Sequence, residues 1–312
     1  MTSDASTEHS SVLPVAFLAG QRLGRGSVCV AFSLVPQRDD HHEEHVVLHG
    51  VDDAVVTDPN PHDRPNVLAW GGLELLGPMA GGARNRVFRA RRGRDELVVR
   101  TSGRTPPALA WELGLLQHLG EAGIAVPDTV ATDDGRRVAD GVLVQRFLPG
   151  GPPVNKADWL RVIEVLQVVH EATVGWPQRP GFASARALLS QDRGGDVDLS
   201  AMPKAAVHLV RASWGPVLHN GECVIHGDLG PGNILLTEDQ VALIDWDEAR
   251  VDVPAFDFAH VPIDIAVPVE VSRDALTTAG VGWEAATCWV VEPAYAQNRL
   301  LELQGRLPGA QP

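Results

Sequence analysis

Val224-Ile225-His226-Gly227-Asp228-Leu229-Gly230-Pro231-Gly232-Asn233-Ile234-Leu235-Leu236, followed by Val241-Ala242-Leu243-Ile244-Asp245-Trp246-Asp247, is the stretch from which the rest of this chain is read. It holds an Asp, an Asn shortly after it, and a second Asp at the end of an apolar run. Asp228 can orient a substrate hydroxyl and accept its proton, while the Asn233 amide oxygen and the Asp245 carboxylate are hard ligands suited to Mg²⁺. The apolar pairs on either side of Gly227, Gly230, Pro231 and Gly232 predict two strands joined by a tight loop. Residues 237–240 read as a turn, and 241–244 as a strand ending at Asp245. The competing reading is a hairpin in which Asp228 and Asn233 merely bond local backbone. That reading leaves the second acidic strand end unexplained.

His226-Gly-Asp228-x-x-x-x-Asn233 with Ile244-Asp245-Trp246 resembles the aminoglycoside phosphotransferase and choline kinase group, relatives of the protein kinases. Pro254-Ala255-Phe256-Asp257-Phe258-Ala259 is similar to that group's Pro-x-x-Asp-x-Ala segment. The resemblance implies an α+β, two-lobed, protein-kinase-like fold: a small N-terminal antiparallel-sheet lobe and a larger, mainly helical C-terminal lobe. ATP or GTP is then the co-substrate and Mg²⁺ the cofactor, held by Asn233 and Asp245. Asp228 is the catalytic residue, and His226 and Asp257 brace its loop by hydrogen bonds. Asp247 either reaches a second ion or has a solvent-facing structural role.

Upstream, Leu75-Leu76-Gly77 and Val87-Phe88-Arg89-Ala90 read as strands around a glycine loop containing Gly81, Gly82, Ala83 and Asn85. Glycines let backbone N–H groups approach phosphate oxygens closely. A basic turn at residues 91–94 leads to a strand ending at Arg100, and Glu112 falls in the helical pattern of residues 108–119. In the kinases a strand Lys contacts the α/β-phosphates and is held by a helix Glu. Here Arg100 stands at that place, with Glu112 its expected partner; the group resembled tolerates Arg, whose planar fork differs from a Lys point charge. Only Lys156 and Lys204 occur in the chain, so a general preference for Arg also accounts for the exchange. Gly24-Arg25-Gly26 looks like a second phosphate loop, but an ionisable run at residues 39–45 follows it rather than a strand and helix, and that run reads as solvated.

The chain divides into residues 1–66, an N-terminal extension that is partly disordered or of uncertain start; 67–148, a nucleotide-binding lobe; and 149–312, a catalytic and acceptor-binding lobe. Residues 141–150 read as a strand leaving through a Pro-Gly break. In the group resembled this is the hinge whose backbone meets the adenine edge, here with Val144 and Phe147. Residues 158–172 form a helical pattern with Leu160, Ile163, Leu166 and Val169 on one face, and His170 beside it as a packing or hydrogen-bonding residue. Residues 203–218, 272–280 and 283–303 also read as helical, with Pro293 a break.

The 312 residues, 44% of them hydrophobic, are enough to bury a sizeable core. Cys29, Cys223 and Cys288 show neither disulfide nor zinc spacing, which favours a reducing, cytoplasmic setting. The apolar run at residues 12–20 is too short to span a bilayer. A net charge of −14 argues against nucleic acid as the ligand and suits a small, hydroxylated, cationic acceptor. The reading leans towards an aminoglycoside-type antibiotic. Choline, homoserine or a sugar-type metabolite are the alternatives, with a catalytically silent kinase-like binding protein beside them. A hydrolase using Asp228 and Asp245 as an acid/base pair leaves Asn233 and Arg100 unexplained. Monomer and homodimer both stay open. In the group resembled, acceptor contacts come from residues 262–303, where Asp264, Glu270, Asp274, Glu284 and Glu292 are candidate cation contacts. Trp283 and Trp289 could stack on a ligand or belong to the core.

Overall fold

Alternating burial organises the N-terminal half. In the computed structural model, which describes residues 64–79, 85–307 and 309, strands β1 (Leu73–Pro78), β2 (Val87–Arg92), β3 (Asp95–Thr101) and β4 (Val142–Arg146) form one antiparallel sheet in sequential order. Phe88, Ala90, Leu97, Val99 and Val144 pack with Trp70 into its core. The period of two puts Arg100 on the face opposite Leu97 and Val99, where it is nevertheless buried. Arg91 and Arg92, expected in a turn, complete β2, so the turn is Gly93-Arg94. The expected glycine-loop residues Gly81, Gly82 and Ala83, the Gly24 loop and the ionisable run lie outside the described residues, as does most of the expected extension.

Helix α1 (Pro106–Glu121) joins two cores. Its Leu109 and Leu113 pack on Leu143 of the sheet, while Leu115, Leu116 and Leu119 belong to the large core of the helical region. Helix α2 (Lys156–Ala172) starts from a capping box between Asn155 and Asp158. It buries Trp159, Val162, Ile163, Leu166, Val169 and His170. Leu160, expected on that face, is 43% exposed. The true stripe is anchored by Trp159 and turned by one residue.

A short hairpin, β5 (Arg193–Gly194) and β6 (Val197–Asp198), precedes α3 (Lys204–Trp214). Strands β7 (Cys223–Ile225), β8 (Ile234–Leu236), β9 (Val241–Leu243) and β10 (Arg250–Asp252) form two antiparallel pairs, β7 with β10 and β8 with β9. The gap expected between the helical stretches 272–280 and 283–303 is absent, since one helix, α4 (Arg273–Thr287), runs through Gly280 and Gly282. A glycine inside a helix costs about 1 kcal/mol. Here it permits close packing, since a Cβ at Gly282 would lie 2.0 Å from the Ser213 Oγ of α3. The break expected at Pro293 is present: α4 ends at Thr287 and Pro293 opens α5 (Pro293–Arg306), where its missing N–H is no loss. No helix among the described residues is long and apolar enough to cross a membrane.

Candidate active site

Strand β7 delivers His226 and Gly227 into the loop before Asp228. Gly227 has φ +83° and a Cβ there would sit 2.5 Å from the Glu248 carbonyl oxygen, so both the turn and the packing require glycine. The backbone N–H groups of His226 and Gly227 donate to the two carboxylate oxygens of Asp257, each at 3.0 Å, and His170 Nε2 donates to the same carboxylate at 2.9 Å. Burial works against the Asp257 charge, but the His170 hydrogen bond and charge, His226 and the Gly227 N–H outweigh it and hold the carboxyl below its ordinary range. The His226 side chain faces the other way. Its Nε2 donates to the Ile244 carbonyl at 2.8 Å, and its ring packs 4.8 Å from that of Trp246. One residue thus ties the loop to the strand end that carries Asp245.

Asn233 closes the loop. Its amide nitrogen donates to the Asp228 carbonyl at 2.7 Å and lies 3.4 Å from Asp228 Oδ2. The Ile244 N–H donates to the Asn233 carbonyl at 3.0 Å. With the nitrogen so engaged, the oxygen of the Asn233 amide is the end that could meet a cation. Asp245 adopts the left-handed region (φ +60°, ψ +63°), a strain of about 1–2 kcal/mol for a residue with a Cβ. Burial raises the Asp245 carboxyl above its ordinary range; Arg100 opposes that shift, while Asp247 and Asp228 add to it.

Arg100 and Glu112 form a buried ion pair, as the sequence predicts, and Arg100 Nη1 lies 3.5 Å from Asp245 Oδ1. Glu112 is shared: its other oxygen accepts from Arg179 Nη2 at 2.6 Å. Asp247 is buried rather than solvent-facing. Its Oδ2 accepts from Arg104 Nη2 at 2.7 Å, and Arg104 makes a fork with Asp196 at 2.6 and 2.7 Å. Burial would raise the Asp247 carboxyl, but Arg104, Arg100 and Arg179 together bring it below its ordinary range. Sequence reasoning missed Arg104, Arg179 and Asp196, which lie in irregular segments or a two-residue-strand hairpin and carry no periodic or motif signal.

At the expected hinge, Val144 is fully buried and its carbonyl accepts from the Val130 N–H at 2.8 Å; the Phe147 N–H donates to the Glu96 carbonyl at 3.0 Å. Those two groups are committed to the protein itself. Asn85 is buried. Of the candidate cation contacts, Glu284 is buried and met by Tyr295, His260 and Arg299, and Asp274 pairs with Arg306 at 3.3 Å. Asp264 and Glu270 are exposed, and Glu292 is half-buried. Trp283 packs in the core with the Arg250 guanidinium 3.4 Å from its ring centre, and Trp289 donates to the Ala201 carbonyl at 3.0 Å. Cavities of about 310 and 330 Å³ lie elsewhere, one beside His170 and Phe258, the other beside Leu109 and Arg137. Neither is lined by Asp228, Asn233 or Asp245.

Comparison with known proteins supports the same reading. A model of the APH phosphotransferase enzyme family matches residues 76–292. A homoserine kinase of Granulibacter bethesdensis is 33% identical over 174 residues, 49% of this chain and 52% of that protein. The chain thus matches about half the length of that relative. A probable ketoamine kinase of Thermus thermophilus is 28% identical over 221 residues, 64% of this chain and 76% of that protein. Homoserine kinases of other bacteria match as well. The solved structure of the aminoglycoside phosphotransferase APH(4)-Ia superposes with a TM-score of 0.54 over 77% of this chain and 96% of its own, at 13% identity, a likeness of fold. With the family model spanning the sheet, the Asp228 loop and most of the helical region, the chain belongs to the APH phosphotransferase enzyme family and has its kinase-like fold.

Proposed function

We propose that this protein is an ATP-dependent small-molecule kinase that phosphorylates the hydroxyl of an amine-bearing metabolite, with homoserine the leading acceptor. The observation that carries the reaction is the convergence of Asp228, Asn233 and Asp245 through Asn233's bonds to Asp228 and His226's bond to the Asp245 strand. Asp228 orients the acceptor hydroxyl for in-line attack on the γ-phosphorus and takes its proton late. Asn233 and Asp245 are the residues to hold Mg²⁺. One amide oxygen and one carboxylate are a sparse donor set that suits an ion completing its shell with phosphate oxygens and water. When bound, that ion neutralises charge on the β- and γ-phosphates.

Arg100, steadied by Glu112, meets the α/β-phosphates, and Gly81, Gly82, Ala83 and Asn85 are, by the sequence reading, the residues to bind them. The base lies against the end of β4, the strand that carries Val144. Because the Phe147 N–H is already bonded, the Phe147 carbonyl and Leu148 N–H, which make no hydrogen bond among the described residues, are the backbone groups for the adenine edge. His226 and Asp257 act through the loop they brace. Buried, free Cys223 suits a cytoplasmic protein.

The lean towards antibiotics has less behind it than the metabolite reading. The homoserine kinases supply the sequence similarity, whereas the aminoglycoside enzyme shares the fold at 13% identity. A ketoamine acceptor is the second reading, favoured by the longer Thermus match. ATP consumption with L-homoserine, a fructosamine and kanamycin, with products located by mass and ³¹P NMR, separates these. L-homoserine is expected to give the O-phosphate. Turnover confined to the fructosamine or kanamycin would replace the acceptor, and no turnover with any hydroxylated amine would overturn the proposal.

A further inference from the structure

Residue 179 sits in the loop Pro177-Gln178-Arg179-Pro180-Gly181, far from every motif, yet its side chain is completely buried. Nη1 donates to the carbonyls of Trp246 (3.1 Å), Asp247 (2.9 Å) and Ala249 (3.2 Å), the turn that directly follows Asp245. Nη2 donates to Glu112 Oε2 at 2.6 Å. The guanidinium face is covered by Phe182 at 4.6 Å and Trp111 at 5.5 Å. The remaining Glu112 oxygen takes Arg100, so one carboxylate is divided between two arginines. We propose that Arg179 is a positioning residue for phosphoryl transfer: it references Glu112, and through it Arg100, to the turn carrying Asp245. The inference rests on the kinase reading above.

The geometry explains why an arginine is needed. A guanidinium presents planar, divergent donors that can meet carbonyls on one edge and a carboxylate on the other, whereas an ammonium is a point donor on a flexible stem. Arg100 has a competing partner in Asp245 Oδ1 at 3.5 Å. If Glu112 loses its anchor, Arg100 is free to settle on Asp245, where it blocks a carboxylate the site needs and leaves the phosphate position. Burial works against the Arg179 charge, and Glu112 and Asp247 offset only part of that penalty. Such an arrangement is poor as a device for stability alone, because desolvation of a buried pair rivals its Coulombic gain.

The test uses the full chain with MgADP and MgATP as probes, and ATP hydrolysis without acceptor as the turnover assay. Arg179→Lys and Arg179→Met are compared with wild type for kcat, for MgADP affinity and for melting temperature. The expected result is a kcat about 10-fold lower for the Lys variant and about 100-fold lower for the Met variant, accompanied by weaker MgADP binding, because Arg100 then leaves the α/β-phosphates and covers Asp245. Glu112→Gln combined with Arg179→Lys should be no slower than the slower single variant, because both act through one contact. A purely structural Arg179 would lower the melting temperature and leave kcat per folded molecule unchanged. That outcome, or multiplying effects in the double variant, would overturn the proposal. Should the Met variant not fold, the Lys variant and the cycle still decide. Wild-type protein that neither binds MgADP nor hydrolyses ATP would sink the kinase reading and this inference together; active wild type with equally active variants sinks only the inference.

Discussion

Around Asp228 the polar groups are held by residues of the same stretch, while around Glu112 they are held by segments far apart in the chain. Asn233 reaches back 5 residues to Asp228, and His226 reaches 18 to Ile244. Arg179 reaches 67 residues to Glu112, and Arg104 reaches 143 to Asp247. The first arrangement is a local motif whose spacing encodes its own geometry. The second exists only after the sheet and the helical region have docked. On the proposed mechanism function depends on both, because Asp245 stands at their junction, its carboxyl raised by burial against the opposing effect of Arg100.

The comparison breaks most visibly at Asp257, a distant support of the local motif. Asp257→Asn should cost about 3–5 kcal/mol in urea unfolding near neutral pH, since it leaves a buried hydrogen-bonded cluster mispaired. The pH dependence has a definite sign. The folded protein holds the Asp257 carboxyl below its ordinary 3.8, so the ionised form stabilises the fold above that value, and the benefit fades as pH falls through the folded pKa. The stability gap between wild type and variant is therefore expected to be flat near neutrality and to narrow below about pH 4. A gap that widens in acid would contradict the assignment.

Arg104→Gln probes the long-range cluster. Its fork to Asp196 and bond to Asp247 are partly open to solvent, so the expected cost is smaller, about 2 kcal/mol by the same unfolding measurement. A loss as large as that of Asp257→Asn would mean that the two regions contribute alike to the fold. At the small end, Leu160→Gln on the exposed side of α2 should stay within about 0.5 kcal/mol of wild type. A larger loss would restore Leu160 to the core face that periodicity first gave it.

These examples show what sequence reading could and could not reach. The four strands of the sheet, α1, α2 and the two strands flanking the Asp228 loop were legible because alternation, helical period and turn residues agree there. The face of α2 was misplaced by one residue, because an amphipathic stripe beginning at Leu160 and one beginning at Trp159 share most of their members. The α4 helix was divided at its glycines because no local signal announces that Ser213 and Trp214 of α3 will press against Gly282. The Arg100–Glu112 pair was found because a kinase-like order of strand and helix predicts it. Arg179, which completes that pair, was not, because a loop residue has no period and its partners come together only by folding. The acceptor pocket stayed illegible for the same reason: Glu284 and Trp283, attractive as ligand contacts in the linear chain, are spent on internal packing.

The most direct test of the account compares Asp228→Ala with wild type, measuring MgADP affinity and phosphoryl transfer from ATP in parallel. The expected result is a folded variant with MgADP affinity within about threefold of wild type and transfer slowed on the order of 10³-fold, the loss of a positioned proton acceptor. An Asp228→Ala protein that transfers phosphate at the wild-type rate would contradict it.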